Sequence, residues 1–218
     1  MATKYRFGDS SIPHFITFAV VNWIDVFSRE CYKEIIVESL KFCITEKGLN
    51  LNAWIIMSNH VHLIATAKEG FELVNIIRDL KKYTNKMIIA KIEANIQERR
   101  KDWMIWMFKR AGARNSNNKV YHFWQQDNHP IELSTNEMIE QRLDYLHENP
   151  VTAGLVTEAQ YYKYSSAVDY YEERGGLVPI MLMKLLYFGL ETWVFKRDLS
   201  DPLEHLNQRG SHQMVCQF

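Results

Sequence analysis

The first clear pattern of apolar and polar positions runs through His14-Phe-Ile-Thr-Phe-Ala-Val-Val-Asn22, which alternates in its first half and is aromatic and β-branched throughout. That is the mark of a strand. From about Ser28 to Thr45 the period changes: Tyr32, Ile35, Ile36, Leu40 and Cys43 recur at helical spacing, and Gly48 follows as a stop. Residues 51–57 and 60–67 are two strand-like runs separated only by Ser58-Asn59, and they read as a hairpin. Beyond Gly70, Leu73, Ile76, Ile77, Leu80, Met87 and Ile88 form a long helical stripe, with Lys81, Lys82, Lys86 and Lys91 mostly on other faces. A basic, aromatic stretch from Glu98 and a polar loop through 112–118 lead to 120–126, where strand character resumes. The order strand, helix, strand, strand, helix, strand predicts an α+β, ferredoxin-like antiparallel sheet with helices on one face.

After this unit, Ser134-Thr-Asn-Glu137 has the form of a capping box and predicts a further helix. Pro150 restricts the residue before it, so the helix is expected to stop near Asn149. Residues 161–171 are rich in tyrosine, and packing is the first role expected of them. No internal repeat is visible. Residues 1–183 read as one domain and 184–218 as a C-terminal extension without an assigned role.

Composition narrows the classes. The 218 residues are 47% hydrophobic and carry no net charge, which excludes a disordered chain and leaves enough apolar mass for a substantial core. No run approaches the roughly 18 apolar residues of a membrane helix. The N-terminal stretch lacks the apolar run of a signal peptide, so a cytoplasmic location is expected. Cys31, Cys43 and Cys216 are odd in number and scattered, which fits reduced thiols better than a disulfide framework or a metal cluster.

Neutrality argues against a nucleic-acid partner until the chain is divided. Residues 68–119 hold thirteen basic and six acidic side chains, whereas 120–218 hold seven basic and fourteen acidic ones. A local basic surface is therefore compatible with a neutral total. Lys81, Lys82, Lys86, Arg99, Arg100, Lys101, Lys109, Arg110 and Arg114 interleave there with Trp103, Trp106 and Phe108, a mixture suited to phosphates and unpaired bases. A solvated helix face with some aromatics in the core accounts for the same pattern.

Among candidate chemical groups, His60 and His62 stand two apart on a strand, so both imidazoles leave the same face while Val61 points the other way. The pair can grip one divalent ion or face solvent. On the capped helix Tyr145 and Asn149 share a face at i and i+4, beside an apolar stripe of Ile139, Leu143 and Leu146. Asn149 could offer an amide oxygen as a third ligand, or could merely end the helix. Tyr83 is a rival phenol, but its i+4 position is Met87.

The hairpin Asn52-Ala-Trp-Ile-Ile-Met-Ser-Asn-His-Val-His-Leu63, with Leu143-Asp-Tyr-Leu-His-Glu-Asn-Pro-Val-Thr-Ala-Gly-Leu-Val156 and Tyr164-Ser-Ser-Ala-Val-Asp-Tyr170, resembles the single-tyrosine HUH transposases. It is most similar among them to the REP-associated tyrosine transposases, relatives of the insertion sequence 200/605-like enzymes. The resemblance spans about residues 5–183. It implies that His60, His62 and Asn149 hold Mg²⁺ or Mn²⁺, and that Tyr145 attacks a phosphodiester to leave a 5′-phosphotyrosine link and a free 3′-OH. It further implies single-stranded DNA with a hairpin or REP-like repeat as partner, no membrane, and a monomer or homodimer. Two other classes stay open: a domesticated, non-catalytic binder of DNA or RNA hairpins, and a small-molecule hydrolase that adds Glu132, His122 or His129 to the histidine pair.

Overall fold

A four-stranded antiparallel sheet organises the chain, its strands lying side by side in the order Leu49–Ile56, His60–Ala67, His14–Ala19 and Ile131–Glu132. The computed structural model describes residues 7–113, 120–126, 128–172, 174–187 and 190–193, those from 184 on by backbone alone. Strand β1 (His14–Ala19) runs down the centre, paired with β3 (His60–Ala67) so that Thr17 faces His62 and Ala19 faces His60. Strand β2 (Leu49–Ile56) completes the hairpin with β3. The register shifts between Leu51 and Ala53, a bulge at Asn52. A bulge inserts one residue and turns every following side chain over. Leu49 and Leu51 therefore point to one layer, while Ala53, Ile55 and Met57 point to the other.

Helices α1 (Glu30–Glu46) and α2 (Leu73–Ala94) cover the first layer, where Ile36, Leu40, Ile77 and Ile88 meet Ile16, Phe18, Val61 and Leu63. Gly48, at φ 71°, takes the left-handed turn that ends α1 and enters β2. On the opposite layer α4 (Asn136–Thr152) sets Ile139, Leu143 and Leu146 against Phe15, Ala53, Ile55 and Ile64. Burying each of those aliphatic side chains stabilises the docked helix by about 1.5–3 kcal/mol. The expected ferredoxin-like sheet, with two helices on one face and a later helix bearing the tyrosine, is present.

Local details differ from the expectations. Residues 101–113 form a helix, α3, whose buried residues Met104, Phe108 and Gly112 lie four apart. The fourth strand is the two-residue β4 (Ile131–Glu132), paired with His14 and Phe15. The expected strand at 120–126 contributes only an isolated bridge, Trp124 to Val20, next to which the Gln125 N–H donates to the Ala19 carbonyl. Thr135, not Ser134, caps α4 by accepting from the Met138 N–H at 3.3 Å. The helix also passes through Pro150 to Thr152, giving up the one bond that an N–H at 150 would make to the Leu146 carbonyl, and Gly154 at φ 69° then reverses the chain. Short helix α5 (Ala167–Tyr171) and a separate hairpin of β5 (Lys184–Tyr187) and β6 (Leu190–Trp193) follow. No helix among the described residues is long and apolar enough to cross a membrane.

Candidate functional site

Alternation on β3 sends Val61, Leu63 and Ala65 into the layer under α1 and α2, and turns Ile64, with His60 and His62, toward α4. The two imidazole centroids are 4.7 Å apart. His62 is buried, stacked on Phe15 at 5.1 Å, and its Nδ1 lies 2.7 Å from the Thr17 hydroxyl. His60 Nδ1 lies 2.7 Å from Asn59 Oδ1. An oxygen at each Nδ1 leaves each Nε2 as the free ring nitrogen, the arrangement in which metal-binding histidines are held by their outer partners. His62 Nε2 is buried and has no partner among the described residues.

Burial lowers the pKa of His60. Burial first, then the positive fields of His60 and Arg142, push His62 down to about 3. Both rings are therefore neutral near pH 7, as ligation requires.

Tyr145 reaches the same place from α4. Its ring centre is 5.5 Å from that of His62 and 5.9 Å from that of Phe15, edge-on to both, yet half its surface stays open to solvent. Asn149 lies one turn on, and its Nδ2 donates to the Tyr145 carbonyl at 3.0 Å, which leaves its Oδ1 available. The rival Tyr83 sits exposed on α2, across the sheet from the histidines. His147, on the inner face of α4, is fully buried and lies 3.0 Å from Ser166 Oγ, which also receives the Trp54 N–H. This contact pins the tyrosine helix to β2 and the start of α5.

Two nitrogens and one oxygen that are neutral and rigidly held suit a divalent cation with other positions left for phosphate and water. No group of three or more His, Cys, Asp or Glu that could hold a metal occurs among the described residues. Glu132 faces His14 at 3.9 Å instead, so the hydrolase reading lacks its third ligand.

Arg142 is a residue that sequence reasoning missed. One turn before Tyr145, its guanidinium lies 5.3 Å over the Phe15 ring and has no hydrogen-bond or ion-pair partner among the described residues. Its i−3 spacing from Tyr145 was the available signal. Thr17 and Asn59 carried none, because their importance comes from the pairing of β1 with β3 and from the turn at 58–59.

The predicted basic residues divide. Lys82, Lys86, Arg99, Lys109 and Arg110 are exposed. Lys86 shares α2 with the exposed Tyr83, Lys109 sits over Tyr121, and Arg110 sits over the exposed Trp106 at 5.1 Å. Lys81, by contrast, donates to the Gln125 carbonyl and Asn128, and Arg100 is bound to Asp25 at 2.6 Å and to the buried Glu98. Phe108 belongs to the core, and Arg114 lies outside the described residues. Lys82, Lys86, Lys109 and Arg110 ride on the helices across the sheet from the histidines and Arg99 on the turn between those helices, so the structure does not gather them around the pair.

The fold and site together define an α+β sheet domain that presents two histidines and a helix-borne tyrosine on one face. In sequence, residues 11–110 match the family described as transposase IS200 like. The match includes His60 and His62 and ends before Tyr145. In structure, the chain resembles a REP-associated tyrosine transposase solved bound to a REP hairpin, with a TM-score of 0.57 at 18% identity over 92% of this chain and 100% of that one. A protein of Deinococcus radiodurans R1 described as a candidate transposase matches with a TM-score of 0.40 at 15% identity, over 67% of this chain and 97% of that one. No curated protein matches. The likeness to IS200-like transposases expected from the motifs is thus borne out.

Proposed function

We propose that this protein cleaves and rejoins single-stranded DNA at or beside a hairpin, with Tyr145 as the nucleophile. The observation that carries the reading is the shared face of His60, His62 and Tyr145, with an unpartnered, buried Nε2 on His62. His60 Nε2, His62 Nε2 and Asn149 Oδ1 would hold Mg²⁺ or Mn²⁺, which supplies charge neutralisation at a non-bridging phosphate oxygen.

The remaining work falls to the chain. The Tyr145 phenol attacks phosphorus, the bond from phosphorus to the 3′ oxygen breaks, and the proton lost from the phenol is balanced by the one gained at the 3′-OH. The product is a 5′-phosphotyrosine ester, close in energy to the bond it replaced, so another 3′-OH can reverse the step without a nucleotide cofactor. Arg142, over the Phe15 ring one turn before Tyr145 on the same helix, supplies a guanidinium to the same phosphate. Exposed Lys82, Lys86, Arg99, Lys109 and Arg110 hold the flanking strand or hairpin stem by its phosphates. A hairpin-bound relative with the same fold supports a hairpin as the partner.

The test is adduct formation. With Mn²⁺ and a labelled hairpin oligonucleotide carrying single-stranded tails, wild type is expected to form a denaturant-resistant protein–DNA band that Tyr145→Phe abolishes. Cleavage by Tyr145→Phe at the wild-type rate would refute the assignment. Retained hairpin affinity with no adduct from wild type would make the protein a binder instead.

A further inference from the structure

Trp23 closes a 3-10 turn, Val21–Trp23, that leaves the end of β1 directly beside His60. Its neighbours in the chain behave as core: Val20, Val21, Ile24 and Val26 are all buried. Trp23 is turned outward, with 56% of its surface open, while its ring stays in edge contact with His60 at 6.0 Å. An aromatic side chain this large usually recovers its hydration cost by burial, and here it does not.

The backbone goes to some cost to keep it there. Asn22 and Trp23 both have φ 55°, in the left-handed region. That conformation costs an L-residue roughly 1–2 kcal/mol, and for a bulky residue it is a genuine outlier. Several hydrogen bonds hold it. Val21 N–H donates to the Phe123 carbonyl at 2.8 Å, and Trp23 N–H donates to the Val20 carbonyl at 3.0 Å. The Asn59 amide spans the rest: its Nδ2 donates to the Trp23 carbonyl at 3.3 Å, and its Oδ1 meets His60 Nδ1 at 2.7 Å. One side chain thus fixes both the orientation of His60 and the place of the indole. Strain kept by surrounding bonds at a site is a reason to look for use.

We infer that Trp23 is a base-stacking platform: it receives the face of the unpaired base next to the phosphate that meets His60, His62 and Tyr145. The ligand class is a nucleobase of single-stranded DNA, and the inference rests on the proposed function. Stacking on an aromatic plane accepts any base, so the indole contributes grip and alignment rather than sequence choice. It also suits a site whose exposed lysines and Arg110 lie on the helices across the sheet, because a plane beside His60 holds the strand at the reacting phosphate itself. Arg142 serves the phosphate on the Phe15 side of the site, and Trp23 serves a base on the His60 side.

The experiment is a double-mutant cycle between the indole and the base. Tyr145→Phe protein, which stops turnover, is titrated with fluorescein-labelled hairpins bearing dT tails, with Mn²⁺ present, and one tail position at a time is made abasic. Loss of one particular base is expected to weaken binding about 5- to 150-fold, the range for one stacked base. Adding Trp23→Ala should shrink that penalty to within about twofold, while Trp23→Phe retains part of it. An abasic penalty unchanged by Trp23→Ala overturns the inference. So does a Trp23→Ala protein whose Mn²⁺ affinity has fallen with the penalty intact, since the indole would then act only by steadying His60. If neither hairpins nor dT tails bind at all, the proposed function itself fails, and the subsite with it.

Discussion

Replacing Thr17 by valine removes one hydroxyl and keeps the shape of the side chain. In the structure that hydroxyl is 2.7 Å from His62 Nδ1, and the opposite nitrogen, Nε2, is the buried atom without a partner. Ligation through Nε2 requires the proton on Nδ1, and Thr17 is then its acceptor. Valine leaves the Nδ1–H buried and unpaired, at a cost of about 1–3 kcal/mol that falls chiefly on the ligating tautomer. This predicts a 10- to 100-fold loss of metal affinity, the usual range for an outer partner of a histidine ligand. Calorimetric titration of wild type, Thr17→Val and Thr17→Ser with Mn²⁺ measures it. Serine keeps the acceptor and is expected to bind within a few-fold of wild type. Thermal melting should move little, because Thr17 is only partly buried. Valine protein that binds Mn²⁺ within twofold of wild type, while His62→Ala does not bind, would refute the argument that Thr17 sets the ring.

Four further outcomes are expected. Arg142→Gln should slow adduct formation at saturating DNA by about 10-fold or more while leaving Mn²⁺ affinity unchanged, with Arg142→Lys intermediate, as single-turnover kinetics can show. His147 is buried and held neutral, its pKa pushed down to about 3 by burial. The native state thus binds fewer protons than the unfolded chain between about pH 3 and 6.5, so stability is full above that window and falls by several kcal/mol as pH drops through it. His62 has the same sign, and urea melts of His147→Gln should show lower stability at pH 7 but a shallower acid decline. Arg100→Ala should lower the melting temperature, because it strips an ion-pair partner from the buried Glu98. Lys86→Ala and Arg110→Ala should instead weaken DNA binding and reduce its salt slope by about one each.

The strand β3 was legible residue for residue, because alternation over eight positions leaves one phase in which Val61, Leu63 and Ala65 are buried together. The tyrosine helix was legible from its cap and apolar stripe, although the capping hydroxyl belongs to Thr135 and the chain tolerates Pro150 inside the last turn. Helix α3 was missed because its buried side is only Met104, Phe108 and Gly112, a narrow stripe hidden among exposed tryptophans and cations. The fourth strand was misplaced for the opposite reason: 120–126 has strand-forming residues and makes one bridge, while Ile131–Glu132, which pairs with His14 and Phe15, is too short to carry a pattern. Spacing placed both histidines on one face of β3, and the family resemblance, not spacing, singled out Tyr145 as the residue to look for beside them. Trp23, Thr17 and Arg142 were not legible, since their roles arise from neighbours distant in sequence.

The pairing of β1 with β3 has a consequence for how errors are excluded. A slip of one residue would turn His60 and His62 into the layer lined by Ile16, Phe18 and Leu40, and bring Val61 and Leu63 out beneath Tyr145. Such a sheet would lose its core and its chemistry in a single step. Folding and the proposed chemistry thus proofread each other: a chain stable enough to persist has, by the same alternation, already aligned its histidines with the tyrosine.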